Sequence, residues 1–280
     1  LNTELIKEIT MNKISISIPG SNGKMGKTLL SLILESSKYE IASATCLPNE
    51  DEVGVDIGLF AGKSKINKEI NAEPSSMFQN SNVLIDFTAP DATMFHAKEC
   101  YNNNMAIVIG TTGLNADQEN ELRSFSKKIP IVYSANFSIG VTLLSQLVSN
   151  ATKTLGFDWD IEVLEMHHKQ KVDSPSGTAL LLGKSAADAR KQELSNVKSI
   201  SRDGLVGKRK SDEIGFAVLR GGDVVGEHSV LFCNSGERIE LAHKATDRSI
   251  FASGALRASY WAASADPGLY SLADVLQNGG

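Results

Sequence analysis

The chain is poor in cysteine and aromatics, has no excess of positive charge, and has no long hydrophobic run. Its three cysteines, Cys46, Cys100 and Cys233, are scattered, odd in number and lack metal-ligand spacing, which excludes a disulfide framework. They read as buried free thiols of a reducing compartment. The formal net charge of −5, with Lys208-Arg209-Lys210 too short to form a basic stripe, leaves no electrostatic footprint for nucleic acid. No apolar stretch is long enough to cross a bilayer. Leu1 to Thr10 lacks the basic start, apolar centre and small-residue cleavage site of a secretory signal, and the expected location is cytoplasmic. Met11 directly precedes the first strand and reads as the functional start, with residues 1–10 an extension expected to be disordered.

What is present begins with a strand, Ile14 to Ile18, followed at once by Gly20-Ser21-Asn22-Gly23-Lys24-Met25-Gly26 and a helical apolar pattern from Thr28 to Leu34. Strand, glycine loop and helix form the opening of a dinucleotide-binding βαβ unit. Glycine removes the Cβ, so the backbone turns sharply and a pyrophosphate can approach the helix start. The second strand, Glu40 to Cys46, ends without the carboxylate that holds the ribose hydroxyls of NADH and without an arginine for the 2′-phosphate of NADPH, so the choice between them stays open.

The alternation continues with a strand at Asn82 to Thr88, a helix from Asp91 to Tyr101, and a strand at Met105 to Ile109 ending in Gly110-Thr111-Thr112-Gly113. A helix at Asp117 to Lys127 and a strand at Pro130 to Ser134 follow, the latter running into Ala135-Asn136-Phe137. Strand ends of small and polar residues suit the ligand-facing edge of a parallel sheet. Val141 to Leu155 reads as a helix bridging to a second domain. Residues 193–210 read as a mobile polar loop, and Ile214 to Arg220, Val224 to Cys233 and Arg238 to Lys244 as an antiparallel meander. An Ala-rich helix, Ile250 to Ala263, is expected to return to the first domain.

The stretch with the densest chemistry is Asp160 to Ala179. A buried strand, Ile161 to Met166, delivers His167 and His168, then Lys169, Lys171 and Asp173. Ser174-Pro175-Ser176-Gly177-Thr178 opens a helix that Ser176 or Thr178 can cap. Two imidazoles, lysines and a helix start together suit an anion that must also exchange a proton.

With these residues assembled, the chain resembles the dihydrodipicolinate reductase family of the diaminopimelate and lysine pathway, from about Lys13 to the C-terminus. The resemblance is carried by E-x-H-H-x-x-K-x-D-x-P-S-G-T (Glu165 to Thr178), G-x-x-G-x-M-G (Gly20 to Gly26), D-F-T-x-P (Asp86 to Pro90), G-T-T-G (Gly110 to Gly113), A-N-F-S-x-G (Ala135 to Gly140) and G-D-x-V-G-E-H (Gly222 to His228). It implies an α/β chain: a Rossmann-like dinucleotide-binding domain from residues 11–137 and 248–280, and an α+β substrate and oligomerisation domain, 138–247, with a mixed, partly antiparallel sheet that assembles a homotetramer. It also implies hydride transfer from NADPH or NADH to a small cyclic dicarboxylate, with no metal. Carried across by motif, His167 is the proton donor and acceptor and Lys171 a proton donor, while His168, Ser176, Gly177 and Thr178 contact the substrate. Gly20, Ser21, Asn22, Gly23, Lys24, Met25, Gly110, Thr111, Thr112, Ser134, Ala135, Asn136 and Phe137 face the cofactor. Cys46 and Leu47 stand where the family often has an acidic residue and an arginine, and Ala89 where an arginine is common.

The competing readings are a non-catalytic nicotinamide-nucleotide-binding protein, another NAD(P)-dependent reductase of a small dicarboxylate, a cysteine-dependent semialdehyde dehydrogenase, and a metal hydrolase on Glu165, His167 and His168. Adjacent histidines project to opposite faces of a strand, which counts against the last. No cysteine lies in the histidine stretch, which counts against the dehydrogenase.

Overall fold

The computed structural model describes residues 13–200 and 202–279, so the expectations for residues 1–10 and Met11 lie outside the described residues. The chain divides into two compact units. One ends at Phe137 and resumes at Phe251, and the other is Ser138–Ile250.

The first unit opens with β1 (Ile14–Ile18), the glycine loop and α1 (Lys24–Glu35), then β2 (Tyr39–Ala44). A short helix, α2 (Ile57–Phe60), and a 3-10 turn at Pro74–Phe78 lead into β3 (Val83–Asp86). After it come α3 (Pro90–Asn102), β4 (Ala106–Ile109), α4 (Ala116–Phe125) and β5 (Pro130–Tyr133). Strands buried on both faces read as near-continuous apolar runs; every residue of β3 and β4 is buried, and Asp86 at the end of β3 is the one ionisable group among them. Local signals set the helix starts: Pro90 at the first turn of α3, and a capping box between Asn115 and Gln118 on α4.

The second unit begins with α5 (Ile139–Leu155), capped by Ser138 and stopped at Gly156, whose φ of 69° suits a residue without a Cβ. Then come β6 (Asp160–His167), α6 (Gly177–Ala189), α7 (Leu194–Val197), β7 (Lys198–Ser199), β8 (Ile214–Arg220), β9 (Gly226–Asn234) and β10 (Glu237–Ala245). The sheet order is β10-β9-β6-β8-β7. This corrects the meander: β6 lies between β8 and β9, parallel to the first and antiparallel to the second, and only β9 and β10 form a hairpin. The sheet is therefore mixed, with β6 at its centre and its C-terminal end presenting His167.

The polar segment at 193–210 is not a free loop. It supplies α7 and β7, and Arg209 reaches back to β6, its Nε donating to Glu162 Oε1 at 2.9 Å and its Nη1 to Asp160 Oδ1 at 2.7 Å. Arg202 grips both oxygens of Glu162 at 2.8 Å each. Arg202 and Arg209 thus tie an otherwise exposed segment to the sheet by ion pairs.

The chain returns to the first unit through α8 (Ser249–Ala262), β11 (Gly268–Tyr270) and α9 (Leu272–Gln277). Ala252, Ala255, Ala258 and Ala262 form the buried stripe of α8, and small residues allow close approach. A Cβ on Gly254 would lie 1.8 Å from the Phe137 carbonyl oxygen, so that position needs glycine. β11, unforeseen because it spans three residues, pairs parallel to β5 and completes the order β11-β5-β4-β3-β1-β2.

Candidate active site

β6 alternates inward and outward, and its buried residues are Ile161, Val163, Glu165 and His167. The first two join the apolar core of the unit, and the last two carry ionisable groups along the same line. Glu165 is 1% exposed. Its Oε1 accepts the backbone N–H of Ser176 at 2.8 Å and Nη2 of Arg220 at 3.3 Å. Its Oε2 lies 2.6 Å from Nδ1 of His167, an ion-pair distance without the alignment of a linear hydrogen bond. One carboxylate thus ties the end of β6 to the start of α6.

Ser176 is the cap of α6. Its Oγ accepts the Ala179 N–H at 3.1 Å and lies 3.2 Å from Nε2 of His228. His228 stands directly opposite Glu165 in the β6–β9 register, and its ring centroid is 5.0 Å from that of His167. Gly226 makes room for this pair, since a Cβ there would sit 3.1 Å from Nε2 of His167. Gly177 and Thr178 are the first residues of α6, at the positive end of its dipole.

His168 and Lys171 lie outside this buried cluster, on the loop after β6. The His168 N–H donates to the Val224 carbonyl at 2.8 Å, and its Nε2 is 3.2 Å from Nη2 of Arg248. Lys171 closes a turn onto the His168 carbonyl at 3.1 Å and pairs through Nζ with Asp173 Oδ1 at 2.8 Å. Arg220 also donates to the Asp173 carbonyl at 2.6 Å, which fixes the loop to β8. Three residues of this constellation escaped the sequence reading. His228 was inside a quoted motif without a role, Arg220 ends a strand, and nothing local marks Arg248.

The electrostatics set protonation states. Burial raises the Glu165 carboxyl, but the bonds from Ser176 and the charges of His167 and Arg220 outweigh it, and the group is held below the ordinary carboxylate value. Burial pushes the His167 imidazole down. Glu165 pulls it back up, Lys171 and Arg220 push it lower, and the net direction is down. Burial first, then the neighbouring His167, pushes His228 down to about 4. Both imidazoles of the cluster are thus biased toward the neutral form. Among the described residues, Glu165, His167 and His228 bring potential metal-donor atoms within 4.8 Å of one another. Arg220 already supplies positive charge to that carboxylate.

In the first unit, the C-terminal ends of the parallel strands gather the other predicted residues. Gly20 has φ 59°, and the Ser21 N–H and Oγ both donate to the Thr45 carbonyl, at 2.9 and 3.1 Å. Gly23 caps α1, and Lys24 and Met25 begin it. Gly20, Asn22 and Gly23 line a cavity of about 580 Å³ together with the end of β2 and the start of α3. Gly110 follows β4, where a Cβ would meet the Phe87 ring at 2.0 Å. Thr111 is buried and bonds Thr93 Oγ1 at 2.8 Å and Asp86 Oδ1 at 3.3 Å, while Thr112 is exposed. Asp86 also holds the Thr88 N–H at 2.8 Å and His96 Nδ1 at 2.7 Å, joining two strand ends in one buried network. Ser134 bonds the Asn136 carbonyl at 3.0 Å and Ala135 is exposed, but the Phe137 side chain is a core residue packed on Phe87 at 5.7 Å. Neither Gly110–Thr112 nor Ser134–Phe137 lines that cavity.

The glycine cradle fits a dinucleotide. A Cβ on Gly26 would lie 2.5 Å from Ser21 Cα and 2.6 Å from its carbonyl oxygen, so glycine is what lets the loop fold tightly over the helix start. Gly26→Ala is expected to weaken nicotinamide-nucleotide binding at least about tenfold, the overpacking of fixed backbone costing about 1–3 kcal/mol. Fluorescence titration with NADH reads this directly, and unchanged affinity would remove the loop from the cofactor site.

The family model for the N-terminal part of dihydrodipicolinate reductase matches residues 14–137, and that for its C-terminal part matches residues 140–276. The chain belongs to the dihydrodipicolinate reductase family. Relatives named 4-hydroxy-tetrahydrodipicolinate reductase include one from Afipia carboxidovorans, 44% identical over 95% of this chain and 98% of the relative. Another, from Acinetobacter baumannii, is 42% identical over 93% of this chain and 95% of its own length. A solved dihydrodipicolinate reductase from Paenisporosarcina sp., described as dipicolinate-bound, has the same fold with a TM-score of 0.72 and 24% identity, covering 92% of this chain and 97% of that one. As a member of this reductase family with a Rossmann-type unit, the chain is an oxidoreductase that uses NADH or NADPH.

Proposed function

We propose that the chain reduces 4-hydroxy-tetrahydrodipicolinate to tetrahydrodipicolinate, with its substrate at the start of α6. The observation that carries this placement is the buried Glu165 carboxylate, which fixes His167, Ser176 and the first turn of α6 as one rigid piece. A dicarboxylate needs two cationic or N–H-rich ends. The α6 start, with the Gly177 and Thr178 amides and the Ser176 hydroxyl, supplies one, and Lys171, His168 and Arg248 supply the other. Lys171 exchanges Asp173 for a substrate carboxylate, a strong charge-assisted pair for another of the same kind.

The Gly20–Met25 loop, with the Gly110–Thr112 and Ser134–Phe137 backbones, would hold a reduced nicotinamide nucleotide, which would supply the hydride. The 4-hydroxyl leaves as water to open a conjugated imine, and hydride addition to that system leaves negative charge on the framework that one proton must quench. His167 does this as a general acid. Two substrate carboxylates raise its affinity for a proton, so the imidazole that is biased toward neutral in the free site becomes charged when the dianion binds. Lys171 stabilises the same charge and can donate as well.

Lys171→Ala is expected to raise the KM for the dicarboxylate and lower kcat together, by about 10²-fold in kcat/KM. Wild-type turnover in that variant would remove Lys171 from the mechanism. The reaction itself is tested by coupled turnover, with substrate freshly made by the preceding synthase and NADH and NADPH run in parallel. Loss of reduced-nicotinamide absorbance supports the reading. Nucleotide binding without turnover would favour the non-catalytic alternative.

The assembly we infer is a homotetramer built on the mixed sheet. β10 is a nine-residue edge strand with a neighbour on one side, and Ile239 on it is exposed. Leu205, Val206 and Leu219 of the same unit are exposed too. A long strand edge with unpaired backbone groups is a template for pairing with another chain. A cytoplasmic location fits the three free thiols, and no helix among the described residues is long and apolar enough to cross a membrane.

A further inference from the structure

The end of β2 decides which nicotinamide nucleotide a βαβ unit accepts. The adenosine ribose lies between that strand end and the glycine loop, where a carboxylate binds the free 2′-hydroxyl and an arginine accommodates a 2′-phosphate. Here the strand runs out through Thr45 and Cys46, and neither acid nor base stands at its tip.

The loop that follows restores charge to this place. Glu50 lines the same cavity as Gly20, Asn22 and Gly23, and no lysine or arginine is among that cavity's described lining residues. Glu52, half-buried, accepts from Asn22 Nδ2 at 3.4 Å, which brings a second carboxylate onto the glycine loop itself. After burial, the charges of Glu52 and then Glu50 are what push the buried Cys46 thiol up, so both carboxylates are felt at the tip of β2.

Several neighbouring cations are committed elsewhere. Lys63 pairs with Glu35, Lys68 donates to the Ile41 carbonyl at 2.6 Å, and Lys27 lies over the Phe60 ring at 5.0 Å. Lys24 opens α1 and serves whatever phosphate meets the helix start, but one ammonium does not offset two carboxylates.

We propose that Glu50 and Glu52 make this reductase selective for NADH, by accepting from the ribose hydroxyls and repelling a 2′-phosphate. The inference rests on the Gly20–Met25 loop being the cofactor site. It adds the determinant that the strand tip itself lacks.

The test is calorimetric titration of the full chain with NADH and with NADPH, on wild type, Glu50→Gln and the double variant Glu50→Gln/Glu52→Gln, at low and high salt. Wild type is expected to bind NADH at least about tenfold more tightly, the scale of a like-charge contact at a protein surface, with the gap narrowing as salt screens it. The double variant is expected to gain affinity for NADPH and move the ratio toward one, and Glu50→Gln to move it part of the way should the double variant melt early. Equal or tighter NADPH binding by wild type would overturn the proposal, as would an unchanged ratio in a folded variant. Binding of neither nucleotide would overturn the cofactor site as well, whereas equal binding of both overturns the selectivity alone.

Discussion

Replacing His167 by alanine should lower kcat by about 10²–10⁴-fold, the range for a lost general acid, with the KM for the dicarboxylate moving far less. The ring's position explains the asymmetry. It is buried against Glu165, His228 and Gly226, while the carboxylate-binding groups stand at the α6 start and on the following loop. The pH profiles should carry the same signature. In the free enzyme, burial with Lys171 and Arg220 nearby holds the His167 pKa below its ordinary value despite Glu165, so the protonated form fades as pH rises through that lowered pKa. A bound dianion raises it. The alkaline fall of kcat should therefore lie at higher pH than the fall of kcat/KM, and the variant should lose this limb in both. Coincident limbs in wild type would mean that the substrate does not charge this histidine.

Glu165→Ala should cost about 3–5 kcal/mol of stability, as for breaking a buried ion pair by removing one partner. The change strips the acceptor from the Ser176 N–H, leaves Arg220 without its buried partner, and releases His167. Glu165→Gln keeps an acceptor oxygen for Ser176, so it should lose less stability but still lower turnover. Equilibrium denaturation read beside kcat separates the two effects, and a fully stable alanine variant would contradict the clamp. Acid should attack the same cluster in two stages. His228, with its folded pKa pushed from 6.5 to about 4, contributes stability above 6.5 that is lost as pH falls toward 4. Glu165, held below the ordinary carboxylate value, contributes stability above that value that is lost only as pH falls through its own lowered pKa. A variant lacking the His228 imidazole should show a smaller first stage, the remainder belonging to His167, whose pKa is also lowered.

Both stages depend on a cluster that was only half legible in the sequence, and the divide follows the range of the interactions. β1, the glycine loop and α1 are specified within a span of residues that touch one another, so motif and periodicity place them. His167, Ser176, Gly177 and Thr178 were readable for the same reason, since a strand end and a helix cap are local events. Glu165 carried a signal too. Counting by twos from Ile161 and Val163 puts it on the inward face beside His167, where an unpaired carboxylate would be costly and a partner is required. Its partner Arg220 and its neighbour His228 come from strands that close on β6 only through sheet pairing. Strand patterns alone suggest that consecutive strands pair, which is why β8, β9 and β10 read as a meander when β6 in fact separates β8 from β9. Within the polar run at 193–210 the sequence did not show α7, β7 or the reach of its arginines to Asp160 and Glu162, for the same reason of long sequence distance.

A crystal structure of the chain with dipicolinate and NADH tests the central claim most directly. The account predicts one carboxylate of the dipicolinate at the start of α6 on the Gly177 and Thr178 amides, the other within hydrogen-bond reach of Lys171, His168 and Arg248, and the ring nitrogen and carbons beside the His167 imidazole. A dicarboxylate bound away from the start of α6, with Lys171 still on Asp173, would contradict it.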